Sequence, residues 1–165
     1  MSRPGIMICW GSPSRARRPA IRAYPHRYEV SAAAYADGSV AVRSEGLPTL
    51  TTAPPPQFGG AGGQWSPETL LAAAAADGLI LTFCAIATAS KLPWRRLDCD
   101  AEGIVDRKDG VVRFTELHVH ARLKVPPGVD PDRALRLLEK AEATCLVTNS
   151  LALSPTLTAE IVAEQ

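Results

Sequence analysis

Residues 66–91 read SPETLLAAAAADGLILTFCAIATASK, and this stretch decides the fold. Ser66 is an N-cap residue, Pro67 suits the first helical position, and Glu68 complements the positive end of the helix dipole. The pattern predicts a helix running to about Lys91, with Pro93 as its stop. It is apolar on nearly all sides, so it is expected at the centre of the molecule, covered by other elements or by a second subunit. One pair does not fit. Asp77-Gly78 interrupts the run; against alanine, glycine costs a helix interior about 1 kcal/mol and aspartate roughly 0.6 kcal/mol. Whole domains are stable by only about 5–15 kcal/mol, so the pair needs a reason.

Upstream, HRYEVSAAAY (26–35) and SVAVRSE (39–45) flank an Asp37-Gly38 turn and predict a hairpin. LPTLTT (47–52) adds a short strand, and APPPQFGGAGGQ (53–64), with three consecutive prolines and four glycines, reads as a loop. A loop of this length is often functional or mobile. Downstream, RRLDCDAEGIV (95–105) alternates strictly, with Leu97, Cys99 and Ala101 on one face. Asp109-Gly110 turns the chain, and VVRFTELHVHARLKV (111–125) returns with Leu117, Val119, Ala121, Leu123 and Val125 facing inward. Asp130 caps a further helix that carries Ala134, Leu138, Ala141 and Cys145 on its apolar face, and PTLTAEIVA (155–163) is a last strand. The order is strands, long helix, strands, helix, strand, which predicts an α+β protein with antiparallel sheets around a central helix.

A chain of 165 residues with 46% hydrophobic and 21% charged residues can bury one domain's core. The net charge of +1 is unevenly spread: residues 1–27 hold six arginines and no acid. The rest therefore carries an acidic excess and lacks the basic surface that nucleic-acid binding requires. Residues 1–27 are expected to be a flexible extension, or the product of a start placed too early with Met7 as the true start, ahead of a domain over 28–165. The apolar patch IMICW precedes most of the arginines instead of following them, so a secretory signal is not expected. Asp77 and two threonines break the longest apolar run, which favours a core helix over a membrane span. A reducing cytoplasm is the expected compartment, where a disulfide is more often catalytic than structural.

Cys9, Cys84, Cys99 and Cys145 form no CxxC pair, and no histidine sits at zinc-finger spacing, so no structural metal is expected. Taken singly, Cys84, Cys99 and Cys145 read as small buried hydrophobes on apolar faces. His118 and His120 share a strand face with Glu116, Arg122 and Lys124, which reads as a solvated sheet face or a subunit contact. Residue types alone take the reading no further than a compact α+β domain.

WSPETLLAAAAADGLILTF (65–83), a hairpin, VPPGVDP (125–131) and LLEKAEATCLVTNSL (137–151) together resemble the OsmC/Ohr family over about residues 28–162. The resemblance implies an intertwined homodimer with two long central helices, and no cofactor. It also implies thiol-dependent reduction of organic hydroperoxides. A thiolate on the central helix attacks the O–O bond and becomes a sulfenic acid, a second cysteine condenses with it, and a dithiol reduces the disulfide. Cys145 matches the second cysteine, and Glu68 matches the acid that helps hold an activating arginine. By helix rise, Glu68 and Gly78 lie about 15 Å apart along one straight helix.

The sequence departs from that pattern at two of the three groups. Gly78 stands where the family has its first cysteine, preceded by Asp77 instead of a small residue. The arginine expected near ADGS (36–39) is missing, with Arg43 the nearest. Two readings follow. In one, the chain is a non-peroxidatic homologue that keeps a dimer-interface pocket at Asp77 and Gly78 for a small apolar molecule, enlarged by loss of the cysteine side chain. In the other, Cys84 is the nucleophile and Cys145 resolves it, although Cys84 is turned about 240° around the helix from position 78.

Overall fold

The computed structural model describes residues 23–36 and 38–164; the expected extension before Ala23, Cys9 and Asp37 of the first turn lie outside them. The chain divides into two compact units at the start of the long helix, one reaching Leu71 and the other beginning at Ala72.

The first unit holds a three-stranded antiparallel sheet in the order β1 (Ser31–Ala34), β2 (Val40–Arg43), β3 (Leu50–Thr52). The strand expected over 26–35 shortens because only Ser31 to Ala34 find partners, from Ser31 opposite Arg43 to Ala34 opposite Val40. Upstream, the chain is held by the Ser44 hydroxyl, which donates to the Glu29 carbonyl at 2.9 Å. The loop after β3 is less irregular than its prolines predict. Pro56–Phe58 form a turn of 3-10 helix, and the Ala53 amide donates to the Trp65 carbonyl at 2.9 Å, closing the loop at its base.

The long helix α1 (Pro67–Ala89) starts where Ser66 and Pro67 place it. In the second unit it is followed by β4 (Arg96–Lys108), β5 (Val111–Val125), α2 (Pro131–Ala143), the single-turn α3 (Leu146–Asn149) and β6 (Thr156–Ala163). β4 and β5 pair antiparallel from Arg96 opposite Lys124 to Lys108 opposite Val111, with one register shift at Ile104/Val105. The expectation of antiparallel sheets is corrected at β6, which pairs with β5 in parallel, His118 opposite Thr156 and Val125 opposite Ala163. A parallel neighbour needs a crossover connection, and α2 with α3 supplies it. The α+β class stands, with one parallel pair in the second sheet.

Ala75, Leu79, Phe83 and Ala87 form a stripe at four-residue spacing on α1, all buried in a core shared with β5 and α2. The β5 residues expected to face inward are buried without exception, and so are Ala134, Leu138 and Ala141 of α2. Phe83 meets Trp94 edge-on at 5.6 Å, and the Arg133 guanidinium of α2 donates to the Ser90 carbonyl just past the end of α1. The opposite stripe of α1 (Ala74, Asp77, Leu81, Ala85 and Thr88) is exposed. By length and composition α1 is apolar enough to cross a membrane, despite Asp77. Its packed stripe makes it a core helix.

Candidate functional site

Asp77 and Gly78 take different surroundings. Asp77 belongs to the exposed stripe, which removes the desolvation cost of a carboxylate in an apolar helix. Gly78 lies against the segment after α2. A Cβ on Gly78 would stand 3.1 Å from the Cys145 Sγ and 3.1 Å from the Val147 Cγ2. Within a disulfide, the Cβ of one cysteine lies about 3 Å from the sulfur of the other, given an S–S bond of about 2.04 Å. That one distance between positions 78 and 145 matches the value for a bonded pair, and one of the two is glycine.

The same distances correct the expectation of an enlarged pocket at Gly78. Contacts at 3.1 Å are closer than ordinary van der Waals contact, so the space a side chain would fill is already occupied by Cys145 and Val147. Val147 had no signal in the sequence, where it reads only as one more apolar residue. The Thr82 hydroxyl donates to the Gly78 carbonyl at 2.7 Å and fixes the backbone from the next turn.

Cys145 is a free thiol, 1% exposed. It does not continue α2 as expected: α2 ends at Ala143, and Cys145 becomes the N-cap residue of α3. Cys99 is also free and half-buried; burial, and then the charge of Asp100, push its thiol up from 9.0 to about 11. It is protonated, and so a poor nucleophile, at neutral pH. Cys84 is 2% exposed and is held in a disulfide, not as a free thiol. Gly78, six residues earlier, is the position that faces Cys145, so nothing in this geometry brings Cys84 to Cys145.

Glu68 lies in the first turn of α1. The cap there is reciprocal and does not use it: the Ser66 amide donates to the Thr69 Oγ1 at 2.8 Å, and the Thr69 amide to the Ser66 Oγ at 3.2 Å. The Glu68 Oε2 is shielded from solvent and has no hydrogen-bond partner. Arg43 does not fill the place of the missing arginine. It lines an open groove of about 950 Å³ with Arg27, Tyr28, Glu29 and Glu45, apart from the Glu68 carboxylate.

His118 pairs through Nε2 with the Glu116 Oε2 at 2.9 Å and stands opposite Glu102 in register, while His120 stands opposite Asp100. Among the described residues, no three His, Cys, Asp or Glu side chains converge as a metal site. This face is a charged sheet surface, with the Arg122–Glu160 ion pair at 3.2 Å beside it.

Residues 60–160 match the family model described as OsmC-like protein. Among solved structures, an OsmC-like protein from Mycoplasma pneumoniae superimposes with a TM-score of 0.72 at 15% identity, over 86% of this chain and all of that one. An organic hydroperoxide resistance protein OsmC from Legionella pneumophila gives 0.66 at 22% identity, covering 85% of this chain and 99% of that one. An organic hydroperoxide resistance protein from Elizabethkingia anophelis, with crystallant-derived thiocyanate bound, gives 0.67 at 22% identity over 86% and 100%. Identities this low carry the fold alone. Among curated protein sequences, none is significantly similar.

Proposed function

The chain belongs to the OsmC-like protein family, and from that premise we propose that it is a member without the family's thiol peroxidase activity. Family membership supports a function related to hydroperoxide resistance. The finer reading rests on one observation: the place 3.1 Å from the Cys145 Sγ, where a reactive cysteine would stand, belongs to Gly78. Peroxide reduction by thiols needs a thiolate to attack the O–O bond and to carry the sulfenic acid that a second thiol then displaces as water. Cys145 can play the second part but has nothing to resolve. It is also 1% exposed, which keeps a peroxide away from its own sulfur.

On this reading the chain forms a cytoplasmic homodimer in which a second copy covers the exposed stripe of α1. The interface keeps a pocket for a small apolar molecule, bound and released without redox chemistry or a dithiol. Because the Gly78 notch is closed by Cys145 and Val147, the pocket does not extend into the helix there.

Restoring the missing group tests the reading. Gly78→Cys is expected to form a disulfide with Cys145 on mild oxidation, seen as the loss of two hydrogens in the intact mass and of both free thiols of the pair. The Gly78→Cys/Cys145→Ser variant should not form it. A Gly78→Cys protein that keeps both thiols free under oxidant would show that positions 78 and 145 are not the family's cysteine pair.

A further inference from the structure

We infer that the exposed stripe of α1 is covered by the tip of the β4–β5 hairpin of a second copy, with Arg107 of that copy set against Asp77. The inference rests on the homodimer of the proposed function and names the part of the second copy that does the covering.

Two surfaces of the second unit ask for cover. The first is the hairpin tip. Strand β6 pairs with β5 only from His118 to Val125. From Gly103 opposite Leu117 to Lys108 opposite Val111, the hairpin therefore continues as a two-stranded ribbon among the described residues. Such a ribbon is marginally stable in water without something packed on it. Gly103, Val105 and Arg107 alternate onto the face that carries Cys99 and Ala101 earlier in β4. Phe114 stands opposite Val105, and Val112 opposite Arg107, so they share that face. A Cβ on Gly103 would collide with the Phe114 ring, which places the ring over the glycine. The core face of the sheet thus runs on to the tip, where Val105 and Val112 are exposed. The second surface is the α1 stripe, where Ala74, Asp77, Leu81 and Ala85 are exposed.

Charge decides which part of the second copy fits. The α1 sequence holds two charged residues, Glu68 and Asp77, and no cation. Laid against its own copy, α1 would bury Asp77 without a counter-charge, which is costly. Asp77 joins none of the ion pairs of the described residues. Its helical neighbours Ala73, Ala74, Ile80 and Leu81 carry no charge. On the hairpin face the charged residue is Arg107, whose guanidinium donates to the Gly110 carbonyl at 3.3 Å and enters no ion pair. Each surface is apolar around one charge, and the two charges are opposite. The spacings agree as well. Leu81 lies about 6 Å beyond Asp77 along the helix, and Val105 lies about 7 Å from Arg107 along the strand. Under a two-fold axis each copy gives one hairpin and receives one, so the contact closes at a dimer.

The test uses the full-length protein, with sedimentation equilibrium to follow self-association and circular dichroism to check the fold of each variant. Asp77→Arg and Arg107→Asp are each expected to weaken self-association by about tenfold or more, because each sets like charges face to face. Mixed in equal amounts, the two variants should associate to within about threefold of the wild type, since both contacts of the mixed dimer then join opposite charges. Where a reversal unfolds the chain, Asp77→Asn and Arg107→Gln should weaken association in the same direction by a smaller factor. Single variants that associate like the wild type would overturn the inference and leave the dimer standing, with another part of the second copy on the stripe. Recovery in the Asp77→Arg/Arg107→Asp double variant but not in the mixture would also overturn it, because the two residues would then pair within one chain. A wild type that stays monomeric would remove the dimer and the inference together.

Discussion

At position 78 two energies of similar size oppose each other. Replacing glycine by alanine inside a helix gains about 1 kcal/mol in propensity. The added Cβ, however, would meet the Cys145 Sγ and the Val147 Cγ2 at 3.1 Å, and overpacking of a closed site typically costs about 1–3 kcal/mol. Gly78→Ala is therefore expected to be no more stable than the wild type, and less stable by up to about 2 kcal/mol on these terms, measured by urea denaturation. A gain near the full propensity value would show that the 145–147 segment does not press on the helix. Asp77 has the simpler explanation, since it sits on the exposed stripe. The pair that looked like one defect in the sequence is two residues in two environments.

Among the elements, α1 was the most legible because its signals are local. Ser66, Pro67 and the reciprocal bond to Thr69 fix its start, and removing such a cap costs about 1 kcal/mol. Ser66→Ala is expected to lower stability by about that amount, read from the denaturation midpoint at an unchanged slope. The alternation of β5 was legible for the same reason, and its five inward residues are all buried. Strand direction is not written in alternation, so the parallel pairing of β6 with β5 could not be read from residues 155–163. The end of α2 was missed because no glycine or proline marks it; the sequence Ala143-Thr144-Cys145 looks like more helix, yet Cys145 opens α3. The candidate site shows the same division. Glu68, Gly78 and Cys145 were found by resemblance, but the contact of Gly78 with Val147 is tertiary and left no local mark.

At the scale of the whole molecule, α1 poses the question of what covers it. One stripe is buried in the second unit's core, while Leu81 on the opposite stripe is 45% exposed. Burying an exposed apolar face is the main driving force of association, and the proposed second copy would supply the cover. Leu81→Lys is accordingly expected to weaken self-association at least tenfold in sedimentation without loss of helix content. A wild-type chain that sediments as a monomer would overturn the proposed dimer. The absence of peroxidase chemistry is measured by consumption of an organic hydroperoxide in the presence of a dithiol, comparing the wild type with Cys145→Ser and Cys84→Ser. No turnover above the uncatalysed rate is expected in any of the three. Turnover by the wild type that disappears in both variants would overturn the loss of peroxidase activity and assign the reaction to Cys84 and Cys145.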